Sequence, residues 1–392
     1  MGGRRVRDVS STVPASGDSG PGLRRDPLPM VVGPTRPHPS VLRRLAHAAD
    51  PIDAPASVQD LQRALLLTRQ LLDAPAAVPF VLPGTGTAGM ESVAASLLTP
   101  RTPVLVVSTG MWGNRWHDIC VRLGLPTHVH TSEPGHPPDP GEIDRLLGAE
   151  RHQALLITHV DSSSGVRTGI GDLARVAGEH GALVLVDGVS AAGAEFVHQE
   201  AWGVDAYLTS TPKALGVPAG LYLASLGPRA VDVLTSRTWT PRHFSLDLRN
   251  WLPVMRAALE ARFVYHQTLP GNLIGALTRG LELVIQEGAQ RVHRHRRLAL
   301  RLRSALETEG LRNFVAADGD RANGVSVYRA PPHLTAGELL RGAAEHGVLL
   351  QAGTHPSAAG ETFRIGHLGN VDEQDIERTV GTLRRLLSPP NR

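Results

Sequence analysis

The segment LTSTPKALGVPAG, residues 208–220, contains Lys213, the only lysine of a 392-residue chain whose lysines and arginines together number forty. A guanidinium stays protonated, whereas an ammonium can lose its proton and attack a carbonyl, so of the two cations only lysine makes a Schiff base. The flanking residues are apolar or small and include two prolines and two glycines, which suits a packed loop between strands. A chemical role is therefore expected for Lys213.

Three further features carry chemistry. GTGTAG, residues 84–89, follows an apolar run and opens a helical one. It fits the dinucleotide pattern GxGxxG, but that reading wants an acidic residue at the end of the next strand, and VLVVSTG supplies none. What remains is an anion cradle, in which backbone N–H groups at a helix N-terminus and the hydroxyls of Thr85 and Thr87 around Gly86 hold a phosphate; a plain tight turn is the alternative. Asp187 closes the apolar run LVLVD. A carboxylate there needs a partner, such as a protonated ring nitrogen, or else caps the following turn. Trp112, in STGMWGNRW, sits between Gly110 and Gly113 and offers a flat face for a planar ligand, or packs in a core. One amine, one phosphate cradle, one strand-end carboxylate and one indole on the same edge are the binding needs of pyridoxal phosphate.

The elements that would place these groups are legible as an α/β pattern between residues 78 and 226. Strands are expected at 80–82, 104–109, 154–160, 182–187, 206–210 and 220–226. Helices are expected at 90–98, 112–123 and 170–179. Near-continuous apolar strands imply a mostly parallel sheet covered on both faces. Long helices follow at 248–264, 273–287 and 289–309. A last unit has a strand at 324–330, a helix at 336–345, short strands near Leu349 and Arg364, and a closing helix at 373–387. The expected domains are a flexible tail over 1–28, a large domain over 29–270 and a small C-terminal α+β domain over 271–392.

Composition narrows the function. The chain is 41% hydrophobic and 20% charged, a globular balance. A formal net charge of +3 with 4% aromatic residues gives neither a phosphate-neutralising field nor stacking platforms, so no nucleic-acid partner is expected. The arginine run over 291–303 reads as the solvated face of a helix. No apolar run is long enough to span a membrane. The single cysteine, Cys120, excludes an internal disulfide, and the first residues lack a signal-peptide core, so a cytoplasmic setting is expected. His293 and His295 stand two apart on a helix rather than four, and no metal site is expected.

The order and spacing of VVGPTRPHPSVL, GTGTAGMES, STGMWGNRW, THVDSSSG, VLVDGVSAAG, TSTPKALGVPAG, YHQTLP and FRIGHLGN resemble the class V aminotransferases, pyridoxal phosphate enzymes of fold type I, over about residues 30–387. The alanine/serine–glyoxylate or pyruvate branch is the most similar. The resemblance implies a large domain built on a mostly parallel seven-stranded sheet, with a smaller C-terminal domain. It implies Lys213 as the Schiff-base lysine and proton shuttle, Asp187 as partner of the pyridinium nitrogen, Trp112 as the stacking ring, and Ser162 as donor to the phenolic oxygen. Thr85, Gly86 and Thr87 would hold the phosphate, joined by Tyr265 and Thr268 of a second subunit, which makes a homodimer. Arg364 would bind the substrate α-carboxylate, and His159 would be a supporting histidine. The chain departs from the branch at Pro212, Asp161 and Gln267, where glutamine, glutamate and histidine are frequent.

The activity so implied is transfer of an amino group from a small amino acid of the alanine or serine type to a small 2-oxo acid of the glyoxylate or pyruvate type. Another pyridoxal phosphate reaction on the same scaffold is the alternative. A non-catalytic binding protein on this fold has no use for both Lys213 and Arg364.

Overall fold

A computed structural model of the protein describes residues 27–388. Of the tail expected over 1–28, only the last two residues fall in this range, and Leu28–Pro29 is already a short strand, parallel to Val348–Leu349. The central sheet has seven strands: β1 (Val78–Gly84), β2 (Val104–Ser108), β3 (Thr127–Thr131), β4 (Ala154–Thr158), β5 (Leu183–Asp187), β6 (Ala206–Ser210) and β7 (Gly220–Leu226), in the order β1-β7-β6-β5-β4-β2-β3. Only β7 runs against its neighbours. The sheet is thus mostly parallel, and Gly84, Ser108, Thr158, Asp187 and Ser210 all end their strands at one edge.

The apolar runs are continuous because both faces of the sheet are covered. Val104, Val106, Ala154 and Leu156 enter one core with Trp116 and the helix Pro55–Leu72, while Leu105, Val107, Leu155 and Ile157 enter another with Leu173 and Ala177. Alternate residues of a strand point to opposite faces, so one strand feeds two cores. A third core joins Leu298, Leu302 and Leu306 of the helix Ala289–Thr308 to a second sheet of β8 (Val325–Arg329), β9 (Gln351–Ala352) and β10 (Thr362–Gly366), in the order β8-β10-β9.

Most expected elements appear within a few residues of their predicted bounds. The helices Pro39–Leu45, Pro55–Leu72, Pro140–Glu150 and Pro228–Ser236 and the strand β3 are not among the expected elements; the β3 sequence THVHT is polar and half-exposed at the sheet edge, so it lacks the apolar signal of the buried strands. The helix expected from Met90 starts at Gly86, where Thr85 caps it by accepting from the Ala88 N–H at 3.2 Å; two glycines in the first turn weaken the helical signal. The helix expected over 248–264 stops at Leu259.

Candidate active site

Lys213 follows β6 in a turn that closes on the N-terminal segment. Its Nζ donates to the Val32 carbonyl at 2.6 Å, its own carbonyl accepts from the Thr35 hydroxyl at 2.6 Å, and the Pro212 carbonyl accepts from the Thr35 N–H at 3.1 Å. Gly33 makes this closure possible. Its φ is +136°, and a Cβ there would lie 2.9 Å from both Lys213 Cδ and the Pro212 oxygen. Burial pushes the Lys213 ammonium down to about 8, the nearby Arg364 guanidinium pushes the same way, and Asp187 opposes them.

Asp187 ends β5 and is 4% exposed. Its Oδ1 accepts from the Val189 N–H at 2.9 Å. Desolvation raises its carboxyl to about 7; the Val189 hydrogen bond pulls it down, Asp161 adds to the rise, and Lys213 lowers it. Oδ2 has no hydrogen-bond partner among the described residues. Beside Asp187 stands the N-terminus of the helix Gly86–Leu97. A Cβ on Gly86 would fall 2.7 Å from Val189 Cγ2 and 3.3 Å from Ser210 Oγ, so Gly86 is pressed against the loop that carries Asp187. Thr87 accepts from Arg115 at 3.5 Å, and Arg115 lies over the Trp112 ring at 5.6 Å.

Trp112 opens the helix Met111–Arg122 beyond β2, and its indole Nε1–H donates to Ser162 Oγ at 2.9 Å. The helix N-terminus has no cap from its own chain segment. Instead Asp161, fully buried, accepts the N–H groups of Trp112 at 3.0 Å and Gly113 at 3.4 Å on Oδ2. Arg364, in β10, donates through Nε to the Ala352 carbonyl at 2.9 Å and through Nη1 to the Ser162 carbonyl at 3.3 Å. The second sheet thereby reaches the carboxyl edge of the first. Burial lowers the Arg364 guanidinium, and Asp161 opposes that shift.

Seven of the sequence-predicted residues therefore stand at one sheet edge: Lys213, Asp187, Gly86, Thr87, Trp112, Ser162 and Arg364, with Trp112, Ser162 and Arg364 joined by hydrogen bonds and Lys213 within electrostatic reach of Asp187 and Arg364. Thr85 joins them as the N-cap of the helix Gly86–Leu97. Tyr265 and Thr268 stand apart on an exposed segment between two helices, Tyr265 at 62% exposure, and make no hydrogen bond to the others among the described residues. His159 is buried behind Asp187: its backbone N–H donates to the Asp187 carbonyl at 2.8 Å, and its Nδ1 meets the Tyr207 hydroxyl at 2.9 Å. Burial drives its imidazole down to about 3, with Arg167 adding to the effect, so the ring is neutral. Sequence reading missed Val32, Gly33 and Gln351, whose Oε1 accepts from the Val32 N–H at 2.8 Å. The Gly-Pro pair of VVGPTRP was the available sign of a fixed turn, but nothing local pointed it at Lys213.

A sheet of this order with an amine and a carboxylate at its carboxyl edge is the architecture of pyridoxal phosphate-dependent transferases. Alanine–glyoxylate aminotransferase from Nostoc sp. superposes with a TM-score of 0.88 at 27% identity, covering 95% of this chain and 98% of that one. L-aspartate–glyoxylate aminotransferase of Paracoccus denitrificans is 32% identical over 337 residues, 84% of this chain and 83% of the relative. Serine–glyoxylate aminotransferase of Arabidopsis thaliana is 30% identical over 354 residues, 88% and 86% of the two chains. The family described as Aminotransferase class-V matches residues 57–378, and the chain belongs to it: it is a pyridoxal phosphate-dependent aminotransferase.

Proposed function

We propose that the protein transfers an amino group from a small amino acid to a small 2-oxo acid of the glyoxylate or pyruvate type, with Lys213 as the reacting amine and Asp187 as the cofactor's anchor. The observation that carries the reading is the meeting, at one sheet edge, of a buried primary amine, pushed down to about 8, with a buried carboxyl, pushed up to about 7, and the Arg364 guanidinium, both within electrostatic reach of the amine. Glyoxylate is the acceptor named for the relatives above, whereas their donors differ, so the donor is held to a small amino acid.

The residues fit pyridoxal phosphate. Asp187 Oδ2 is an unpartnered acceptor on a buried residue, open to a cationic N–H, the Thr85-capped helix start with its close-set Gly86 offers backbone N–H groups to a phosphate, and Trp112 is held by its edge through Ser162, with Arg115 over one face, so that the other face would do the stacking. When bound, the cofactor supplies an aldehyde that a primary amine can condense with and a protonated ring that takes up the electron pair left at the substrate Cα. Asp187 would keep the ring nitrogen protonated, since a carboxylate buried beside a cation strongly favours the charged pair. Ser162, in turn, would direct its hydroxyl proton to the phenolic oxygen while its Oγ accepts from the indole.

Lys213 Nζ would carry the proton between the substrate Cα and the carbon that receives the amino group. A pKa of about 8 leaves roughly a tenth of the amine unprotonated at pH 7, far more than an exposed lysine provides. Arg364 Nε and Nη1 are held by backbone carbonyls, while Nη2 has no partner among the described residues, so its hydrogens are free to take a substrate carboxylate. Tyr265 and Thr268, exposed and apart from their own chain's cleft, would complete the phosphate site of a second subunit. That makes the working unit a homodimer, with two domains per chain over 29–270 and 271–392. Among the described residues no helix is long and apolar enough to cross a membrane. The single cysteine, which forms no internal disulfide, supports a cytoplasmic setting.

Borohydride reduction of the purified enzyme tests the assignment directly. Cofactor should become fixed to Lys213 with loss of the yellow colour, and an amino donor should convert the unreduced enzyme to its pyridoxamine absorbance. Label on any other residue would refute the role of Lys213. Turnover of donor without the pyridoxamine form would favour a different reaction on this scaffold.

A further inference from the structure

At the edge of the sheet opposite Lys213, three side chains with metal-binding atoms converge. His128 is the second residue of β3, Glu150 ends the helix Pro140–Glu150, and His152 lies on the connection into β4. One ligand atom from each lies within 4.8 Å of the other two, and among the described residues this is the only such group of three. Glu150 Oε2 is 3.3 Å from His128 Nδ1 and 3.3 Å from His152 Nε2. Ligands about 2.0–2.1 Å from a tetrahedral zinc ion are about 3.3–3.4 Å apart, so the spacing is that of two edges of a coordination tetrahedron.

The hydrogen bonding of the rings points the same way. His152 Nδ1 meets the Leu146 carbonyl at 3.2 Å, and since a carbonyl only accepts, Nδ1 carries the hydrogen. In the neutral ring Nε2 then turns a lone pair toward the Glu150 carboxylate, an acceptor against an acceptor. His128 Nδ1 faces the same oxygen, is buried, and has no hydrogen-bond partner. A proton on His152 together with the Nδ1–H tautomer of His128 would bring two donors onto the single oxygen Oε2 at the cost of charging a ring. A single cation among the three atoms satisfies all of them, and the Leu146 carbonyl then orients His152 as outer-sphere acceptors orient metal-binding histidines.

We propose that His128, Glu150 and His152 form a binding site for a divalent transition-metal ion of the zinc class, with water completing its coordination. Two imidazoles and one carboxylate suit zinc, nickel or cobalt and are poor for calcium or magnesium, which prefer an all-oxygen shell. Glu150 is 59% exposed on its side chain, which gives the ion a way in, while the His152 side chain at 2% gives the site a fixed floor. The ion fastens the edge strand β3 to the junction between the helix Pro140–Glu150 and β4. Its role is structural, because strands of five residues at about 3.3 Å each separate it from the carboxyl edge. The three ligands come from three elements with no motif spacing, which is why the sequence carried no sign of them.

The test is zinc titration of chelator-treated holoenzyme by calorimetry, with cobalt absorbance reporting the geometry. Wild type should take up one zinc per chain and unfold at a temperature several degrees higher in its presence. Glu150→Gln and His152→Gln should each lose about 100-fold or more in zinc affinity and lose the thermal shift, with aminotransferase turnover unchanged. Absence of zinc uptake by wild type would mean that a proton alone joins these groups and would overturn the proposal. Equal affinity and stoichiometry in wild type and Glu150→Gln would overturn it as well. Should His152→Gln fail to fold, Glu150→Gln, altered only at an exposed side chain, gives the decisive comparison.

Discussion

Asp161 grips the helix that begins at Trp112. Its Oδ2 accepts the Trp112 N–H at 3.0 Å, and its Oδ1 takes the Ser163 N–H at 2.9 Å and the Ser163 hydroxyl at 2.6 Å. A buried anion at a helix N-terminus satisfies donors that the helix itself leaves unpaired and interacts with the positive end of its dipole. Asp161→Ala should therefore cost roughly 2–4 kcal/mol of stability and loosen the indole, lowering cofactor affinity about tenfold. Urea unfolding and cofactor titration would measure both. Unchanged cofactor affinity would separate Asp161 from the position of Trp112.

A glutamate at this position would be one methylene longer than Asp161. A Cβ on Gly110 would lie 2.9 Å from the Asp161 carboxyl carbon, so the site has no slack on that side. Asp161→Glu should cost about 1–3 kcal/mol through overpacking, despite keeping the charge. Equal melting temperatures for the variant and the wild type would show that the loop yields instead.

Gly33→Ala tests the clamp on Lys213. The backbone sits at φ +136°, and the added carbon would meet Lys213 Cδ and the Pro212 oxygen at 2.9 Å each. Strain and displacement of the amine should lower turnover by two orders of magnitude or more and stability by about 2 kcal/mol or more. Steady-state kinetics together with thermal unfolding would check this. A variant that loses stability but keeps full turnover would show that Nζ does not depend on the N-terminal segment for its position.

Much of this site was legible because its chemistry sits at strand ends. Asp187 and Lys213 are unusual residues at the close of apolar runs, and a buried strand is continuous in one sequence window. The clamp by Val32 and Gly33, the Gln351 contact with Val32, and the meeting of Arg364 with Ser162 join residues separated by 181, 319 and 202 positions. No local period encodes such meetings; they follow from the order of the strands and from the second sheet docking on the first. β3 was missed for a different reason, since an edge strand needs only half-burial and THVHT satisfies that with threonine and histidine.

Asp187 should leave a signature in the pH dependence of the cofactor-free protein. Its carboxyl, near 3.8 when unfolded, is raised to about 7 in the fold. Between those values the folded state holds a proton that the unfolded state has released, so this group's contribution to stability is present below about pH 4 and is lost as pH rises through 7. Asp187→Asn should flatten that fall, making the cofactor-free variant more stable than wild type by a few kcal/mol at pH 8 and about equal at pH 4. Denaturant unfolding of both proteins across this range measures the difference. A constant gap at every pH would place the carboxyl at its ordinary value. With cofactor bound the order should reverse, because the variant lacks the carboxylate for the ring nitrogen, and turnover should fall by about three orders of magnitude or more.

Tyr265 and Thr268 give the last prediction, which separates a dimer with shared sites from self-contained subunits. Their segment is exposed together with Phe263 at 43% and Phe244 at 70%, and Phe244 meets His266 at 5.3 Å between ring centres, so an apolar surface surrounds the two phosphate-binding candidates. If each chain completes its partner's site, Lys213→Ala and the double variant Tyr265→Ala/Thr268→Ala are both impaired alone for different reasons. Mixing them by co-expression should build heterodimers with one intact site, in which Lys213 of one chain meets Tyr265 and Thr268 of the other. Random pairing then restores about a quarter of wild-type turnover, since half the dimers are mixed and each has one working site in two. Residues acting within their own chain would predict the reverse: the heterodimer would hold one site without Lys213 and one without the hydroxyls, and mixing would restore nothing.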